Sequence, residues 1–171
     1  MSELNDLLVE DAPDAIGVFV TDEPGLDEAA SAIGGNAPAW IKSSGYKPVA
    51  GRHLLVPGAD GALAGVIAAA PSSMDPFGPL SLGRLAADLP PGTYRLANPP
   101  ERPDLAALGW LLGTYQFTGY RSGNGAAGSA RLIVPEGANR ADVVRIVQGC
   151  HRAMDLVNLP ANDLGPDALA A

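Results

Sequence analysis

The sequence predicts an α/β fold: a three-layer sandwich in which a mixed sheet is flanked by helices. Short apolar, β-branched runs are interleaved with longer segments of helical period, and that order packs helices onto both faces of a sheet. Two of the runs, 49–56 and 62–70, are separated only by Pro57-Gly-Ala-Asp-Gly61. An Asp-Gly step in so short a loop favours an antiparallel hairpin, which makes the sheet mixed rather than purely parallel. With 171 residues, 47% of them apolar, there is material for one core, and folding at that size buries roughly 70% of the unfolded chain's surface.

Residues 1–13 are polar and acidic and carry no clear element signal. The run Ala15-Ile-Gly-Val-Phe-Val-Thr21 reads as a buried strand closed by Asp22-Glu-Pro-Gly25. A brief helix over 27–33 ends at Gly34-Gly35, and a second helical turn holds Trp40 and Ile41 before Gly45. The hairpin strands follow, and then a Pro-bounded loop over 71–79. Residues 80–89 form a helix with Leu82, Leu85 and Leu89 on one face and Pro90-Pro91 as its stop. Residues 92–97 alternate as a strand. Pro103-Asp104 opens the next helix, because Pro lacks an amide that would have no partner there and Asp suits the positive helix end. Its expected apolar stripe is Leu105, Leu108, Leu112 and Tyr115. Gly109 and Gly113 on the same helix cost ~1 kcal/mol each in propensity against Ala and predict close approach of another backbone. After a small-residue loop come a strand over 130–135 and a helix capped by Asn139, with Asp142 three residues on. That last helix has an expected buried stripe of Val143, Val147, Cys150, Met154 and Val157.

Charge narrows the function classes. The net charge is −8, and residues 1–41 hold nine acids and no Lys or Arg. The rest of the chain is nearly neutral and shows no basic stripe, so nucleic-acid binding is disfavoured. The acidic N-terminal part is expected to be a solvated face. The single cysteine, Cys150, excludes an internal disulfide and fits a reducing compartment. There is no basic segment leading into an apolar signal core, and the longest apolar run, 62–70, is too short to span a bilayer. A soluble cytoplasmic protein without membrane partners is expected.

No segment supplies a catalytic, metal or cofactor site. Gly123-Asn-Gly125-Ala-Ala-Gly128 matches the dinucleotide fingerprint letter for letter, yet it leaves a helix and enters a strand. The motif works the other way round, with the pyrophosphate at a helix N-terminus. His53, in an apolar strand, reads as a hydrogen-bonded structural imidazole. His151 and Asp155, four apart on one helix face, read as a surface ion pair. One Cys and two distant His cannot fill a zinc shell, and Ser72-Ser73 belong to a turn with no nucleophile elbow around them.

Two segments do carry a resemblance. Gly109-Trp-Leu-Leu-Gly113-Thr-Tyr115-Gln-Phe117-Thr-Gly-Tyr120-Arg121 resembles a helix of the leucyl (cytosol) aminopeptidase family, where a Lys commonly stands at the position of Arg121. Asp155-Leu-Val-Asn158-x-Pro160-x-Asn162-Asp-Leu-x-Pro166 is similar to that family's segment joining its two domains. The resemblance implies an N-terminal, non-catalytic α/β domain over 1–157 with a macro-domain-like fold. Residues 158–171 would be the linker and the start of a C-terminal catalytic domain that this chain lacks. It implies, for the whole enzyme, removal of N-terminal amino acids from peptides, two divalent metal ions (zinc or manganese) in the catalytic domain, and hexameric assembly. None of the metal-binding segments occurs in this chain, so inactivity of the chain alone is expected. The alternative is a free-standing macro-like module binding a nucleotide or ADP-ribose.

Overall fold

The structure, a computed structural model, describes residues 2–98, 100–117, 130–160 and 165. Its sheet has six strands: β1 (Leu8–Val9), β2 (Ile16–Thr21), β3 (His53–Pro57), β4 (Leu63–Ala69), β5 (Gly92–Leu96) and β6 (Ala130–Ile133). They lie in the order β1-β6-β5-β2-β4-β3. Every pairing is parallel except β3 with β4, so the Asp60-Gly61 hairpin alone makes the sheet mixed. Gly61 sits at φ +81° and Asp60 accepts the Ala62 amide, the turn chemistry that the Asp-Gly step predicts.

The helices are α1 (Ser2–Leu7), α2 (Leu26–Ile33), α3 (Ala37–Ser44), α4 (Leu82–Asp88), α5 (Pro103–Gly113) and α6 (Arg140–Asn158). Alternation along the strands sends neighbours to opposite faces. Val18, Val66 and Leu132 join α4, α5 and α6 in the larger core, whereas Phe19, Ile67 and Val56 join α2 and α3 in the smaller one. The three layers expected from the sequence are present.

Two expectations are corrected, the start of the first hairpin strand and the role of His53, and the N-terminal segment, which had no clear element signal, finds its place. The N-terminal residues are structured: Leu8 is fully buried in edge strand β1, and Leu4 and Leu7 pack on the larger core. Part of the acidic segment finds bases, with Glu10 near Arg140 at 3.7 Å and Asp11 near Arg95 at 3.3 Å. Such exposed pairs contribute ~0–1 kcal/mol. The first hairpin strand begins at His53, not at residue 49, because a turn with Gly51 at φ +77° and an Arg52-to-Val49 hydrogen bond intervenes. His53 itself opens β3 half-buried and without a side-chain hydrogen bond among the described residues, because it stands at the strand's first position rather than inside it.

The stripe on α5 is also rotated from the expected one. Ala106, Ala107, Trp110 and Leu111 are fully buried, while Leu105, Leu108, Leu112 and Tyr115 are half-buried. The reason is that α5 is covered on two sides. Trp110 points to the sheet and donates its indole N–H to the Ala130 carbonyl at 2.9 Å. The glycine face meets a 3₁₀ turn (Gly78–Ser81) and α4. A Cβ at Gly109 would lie 2.6 Å from the Leu80 Cα, and one at Gly113 would fall on the backbone of Gly83. The glycines permit the close backbone approach expected of them. They seat α5 so that its C-terminal end faces α6.

Candidate functional site at the end of helix α6

At nineteen residues, α6 runs about 28 Å, yet its fully buried residues, Val143, Val144 and Val147, all lie in its first half. Asn139 caps its start by accepting the Asp142 amide at 3.2 Å, and Asp104 accepts the Asn139 amide, tying the starts of α5 and α6 together. The last turns need another anchor. After α5 the chain makes a turn closed by Thr114, whose hydroxyl donates to the Leu111 carbonyl at 2.7 Å. That turn delivers Tyr115 to the side of α6.

His151, Asp155 and Asn158 stand at i, i+4 and i+7, a single helix face. Tyr115 spans all three. Its ring lies 5.0 Å from the His151 ring at 59°. Its hydroxyl donates to Asp155 Oδ1 at 2.8 Å and accepts from Asn158 Nδ2 at 3.1 Å. Partial burial, then the hydrogen bond and negative charge of Asp155, push the phenol above its ordinary pKa of 10.0, with the Asn158 amide opposing. In Asp155→Ala the Tyr115 phenol is therefore expected to titrate at lower pH, read as phenolate absorbance. An unchanged titration would break the assigned hydrogen bond.

The imidazole of His151 faces the Leu111 carbonyl, while its Nε2 is buried with no hydrogen-bond partner among the described residues. Desolvation lowers its pKa below 6.5, outweighing the Leu111 carbonyl and the Asp155 charge, which favour the cation. The unfolded chain then holds more protons than the folded one between the lowered folded pKa and 6.5. Stability on this account is full above the unfolded pKa and is lost as pH falls below it. Replacing His151 by Gln is expected to flatten that part of the acid decline. Urea midpoints of both proteins at about pH 7.5 and about pH 5.5 measure it, since imidazole titrates between them. An identical decline in both would contradict the assignment.

Of the residues singled out in the sequence, Gly109 and Gly113 seat α5, and Tyr115, Asp155 and Asn158 meet in one cluster. Phe117 is half-buried just beyond Tyr115, and Pro160 is exposed just beyond α6. Tyr120, Asn162, Pro166 and the Gly123–Gly128 segment lie outside the described residues. Two expectations fail here. Asp155 binds Tyr115 rather than forming an ion pair with His151, because the imidazole turns inward toward Leu111. Val157 is 84% exposed and leaves the buried stripe, because no core element reaches the last turn of α6. The aromatic partner of His151 was missed; its only local signal was the i, i+4 spacing with Asp155, which points equally to an ion pair.

Among the described residues no group of three or more His, Cys, Asp or Glu is placed to hold a metal ion, so they do not fit a two-metal centre. No described helix is long and apolar enough to cross a membrane.

Comparison with known proteins places these features in context. Residues 20–135 match the family model described as M17 aminopeptidase, N-terminal domain. Among solved structures the chain is similar to a cytosol aminopeptidase from Coxiella burnetii, at 28% identity and a TM-score of 0.76, over 95% of this chain and 35% of that one. A mutant of tomato leucine aminopeptidase aligns at 18% identity and a TM-score of 0.61, over 97% of this chain and 43% of that one. The bottromycin maturation enzyme BotP aligns at 21% and 0.59, over 91% of this chain and 35% of its own. The last two show the shared fold. The chain thus spans between 35% and 43% of the length of these relatives. No curated protein matches its sequence.

Proposed function

Because the chain belongs to the M17 aminopeptidase family as its N-terminal domain, we propose that it serves a metal-dependent aminopeptidase as a non-catalytic domain. On this reading residues 1–157 are the domain, and 158–171 lead toward the catalytic part, which carries two divalent metal ions (zinc or manganese) and removes N-terminal residues from peptides. The carrying observation is the Tyr115–Asp155–Asn158 cluster. It fastens the end of α6 to α5 and so sets the direction in which the chain enters the linker. A domain whose task is to hold an angle needs a stiff exit helix, and α6 has no buried residue of its own to stiffen its last turns.

On this reading the metal ligands belong to the catalytic part, and this chain contributes the fold that the family model matches. Docking on its catalytic domain, shaping access to the active site and supporting a hexamer in the cytoplasm complete the proposal. The experiment is hydrolysis of leucine anilide by the purified chain with added Mn²⁺ or Zn²⁺. No turnover above buffer is expected. Metal-dependent turnover that co-purifies with the chain would overturn the non-catalytic reading.

A further inference from the structure

We propose that the cleft between the start of β3, the end of β4 and the start of α4 binds a phosphate-sized oxyanion. The inference is independent of the aminopeptidase reading. The cleft, about 30 Å³, is lined by Gly51, Arg52, His53, Ala68, Ala69, Ser81, Leu82, Arg84 and Leu85. A water-sized group needs ~10–15 Å³ by that measure, so the space exceeds one water. Its side opens to solvent, where a larger group extends outward.

The charge of the lining is opposite to that of the protein. The chain has 19 acids and 11 Lys and Arg, yet every titratable residue lining this cleft is basic: Arg52, Arg84 and His53. Two separated stretches supply them, Arg52-His53 at the start of β3 and Arg84 on α4. The donors are also uncommitted. Among the described residues the Arg52 guanidinium, the His53 imidazole and the Ser81 hydroxyl have no hydrogen-bond or ion-pair partner. Arg84 has only an exposed contact with Asp88 at 4.0 Å, a weak competitor for its fork of donors.

Position and geometry agree. The cleft lies at the carboxyl end of β4, on the side of the sheet where open α/β proteins receive ligands outside the strand ends. The turn at Gly51, with φ +77°, and the Tyr46 hydroxyl bound to the Arg52 carbonyl at 3.2 Å hold the Arg52 backbone against β4. Arginines from two separate parts of the lining, Arg52 and Arg84, suit an anion with several oxygens, which can accept from both. A single carboxylate occupies one fork only. A phosphoryl group, free or as a phosphomonoester, therefore matches the lining.

The test titrates inorganic phosphate into the isotope-labelled chain at constant ionic strength, with chloride and acetate as controls. Saturable amide shifts in residues 51–53 and 81–85 are expected, with phosphate binding more tightly than acetate and chloride producing none. Arg52→Gln with Arg84→Gln is expected to weaken phosphate at least about tenfold, the effect of losing charge-assisted hydrogen bonds. Both side chains are exposed, so the double variant should keep its fold, which circular dichroism checks. A nucleoside monophosphate arm separates the sources: equal affinity assigns recognition to the phosphoryl group alone, and tighter binding assigns a phosphomonoester. Shifts that chloride reproduces, or that persist undiminished in the double variant, overturn the proposal, as does acetate binding more tightly than phosphate.

Discussion

Replacing Trp110 by Ala is expected to lower the unfolding free energy by about 4 kcal/mol, the centre of the range for truncating a buried Trp. The side chain is fully buried in the larger core and stacks obliquely on Tyr94, with ring centroids 5.8 Å apart and planes at 47°. An aromatic pair of that kind adds ~0.5–1.5 kcal/mol beyond its buried area. Truncation also removes the indole N–H from the Ala130 carbonyl. A buried acceptor losing its donor costs ~1–3 kcal/mol unless water enters. Since domains of this size hold only ~5–15 kcal/mol in total, the variant should be marginal at 37 °C in the sense that a few kcal/mol decide it. Urea unfolding followed by circular dichroism measures the loss. Trp110→Phe separates the contributions: it keeps most of the packing and should cost about half as much, the hydrogen bond being worth ~1 kcal/mol net. A loss under about 2 kcal/mol for the Ala variant would mean that the core collapses around the gap more easily than a close-packed interior allows.

The second large effect runs against helix propensity. Ala is the better helix former by ~1 kcal/mol, so Gly113→Ala judged from α5 alone would stabilise. The expected result is a loss of about 3 kcal/mol, the upper part of the range for overpacking a tight core. A Cβ there would clash with the Gly83 carbonyl oxygen, carbon and Cα, which are backbone atoms with no rotamer to escape into. The helices must separate, and the larger core opens with them, because α4 and α5 both pack into it through Leu82, Leu85, Trp110 and Leu111. Gly149 is the control: a Cβ there meets nothing within 4 Å on the α6 surface. Gly149→Ala should therefore be neutral or stabilising by up to ~1 kcal/mol. Equal effects at the two positions would show that propensity, and not the backbone approach, governs both.

The contrast between these glycines shows what was legible in the sequence. Gly109 and Gly113, four apart on one helix, signalled a close approach, and the partner backbones are Leu80 and Gly83. The hairpin was legible because Asp60-Gly61 encodes its own turn, and the cap at Asn139 because the side chain serves its own helix. The phase of α5 was not. A helix packed against a sheet on one side and another helix on the other is apolar nearly all round, so a stripe through Leu105, Leu108 and Leu112 looked as good as the true face at Ala107, Trp110 and Leu111. The N-terminal strand was hidden for a different reason. Leu4, Leu7 and Leu8 are few among acids, and only parallel pairing with β6, more than a hundred residues away, gives Leu8 its place.

Tyr115, Asp155 and Asn158 were legible as motif residues, through family resemblance, and not as a cluster. Nothing near Tyr115 points to Asp155, 40 residues on. Their meeting depends on how α5 lies on α6, which the glycine seat beside Tyr115 and the Asp104–Asn139 tie at the other end decide. The same distance explains the error at His151: read within α6 its neighbour is Asp155, but read in three dimensions it is Tyr115.

Tyr115 fastens the last turns of α6 through Asp155 and Asn158. Hydrogen exchange of the backbone amides in residues 154–158, compared between the chain and Tyr115→Ala, tests it most directly. These amides should be protected in the unaltered chain and exchange markedly faster in the variant, while those of Val143, Val144 and Val147 keep their protection, since local opening need not involve the core. Tyr115→Phe, which keeps the ring on His151 but loses the hydroxyl, should fall between. Exchange at 154–158 that is unchanged in Tyr115→Ala would contradict the claim and leave α6 stiff for some other reason.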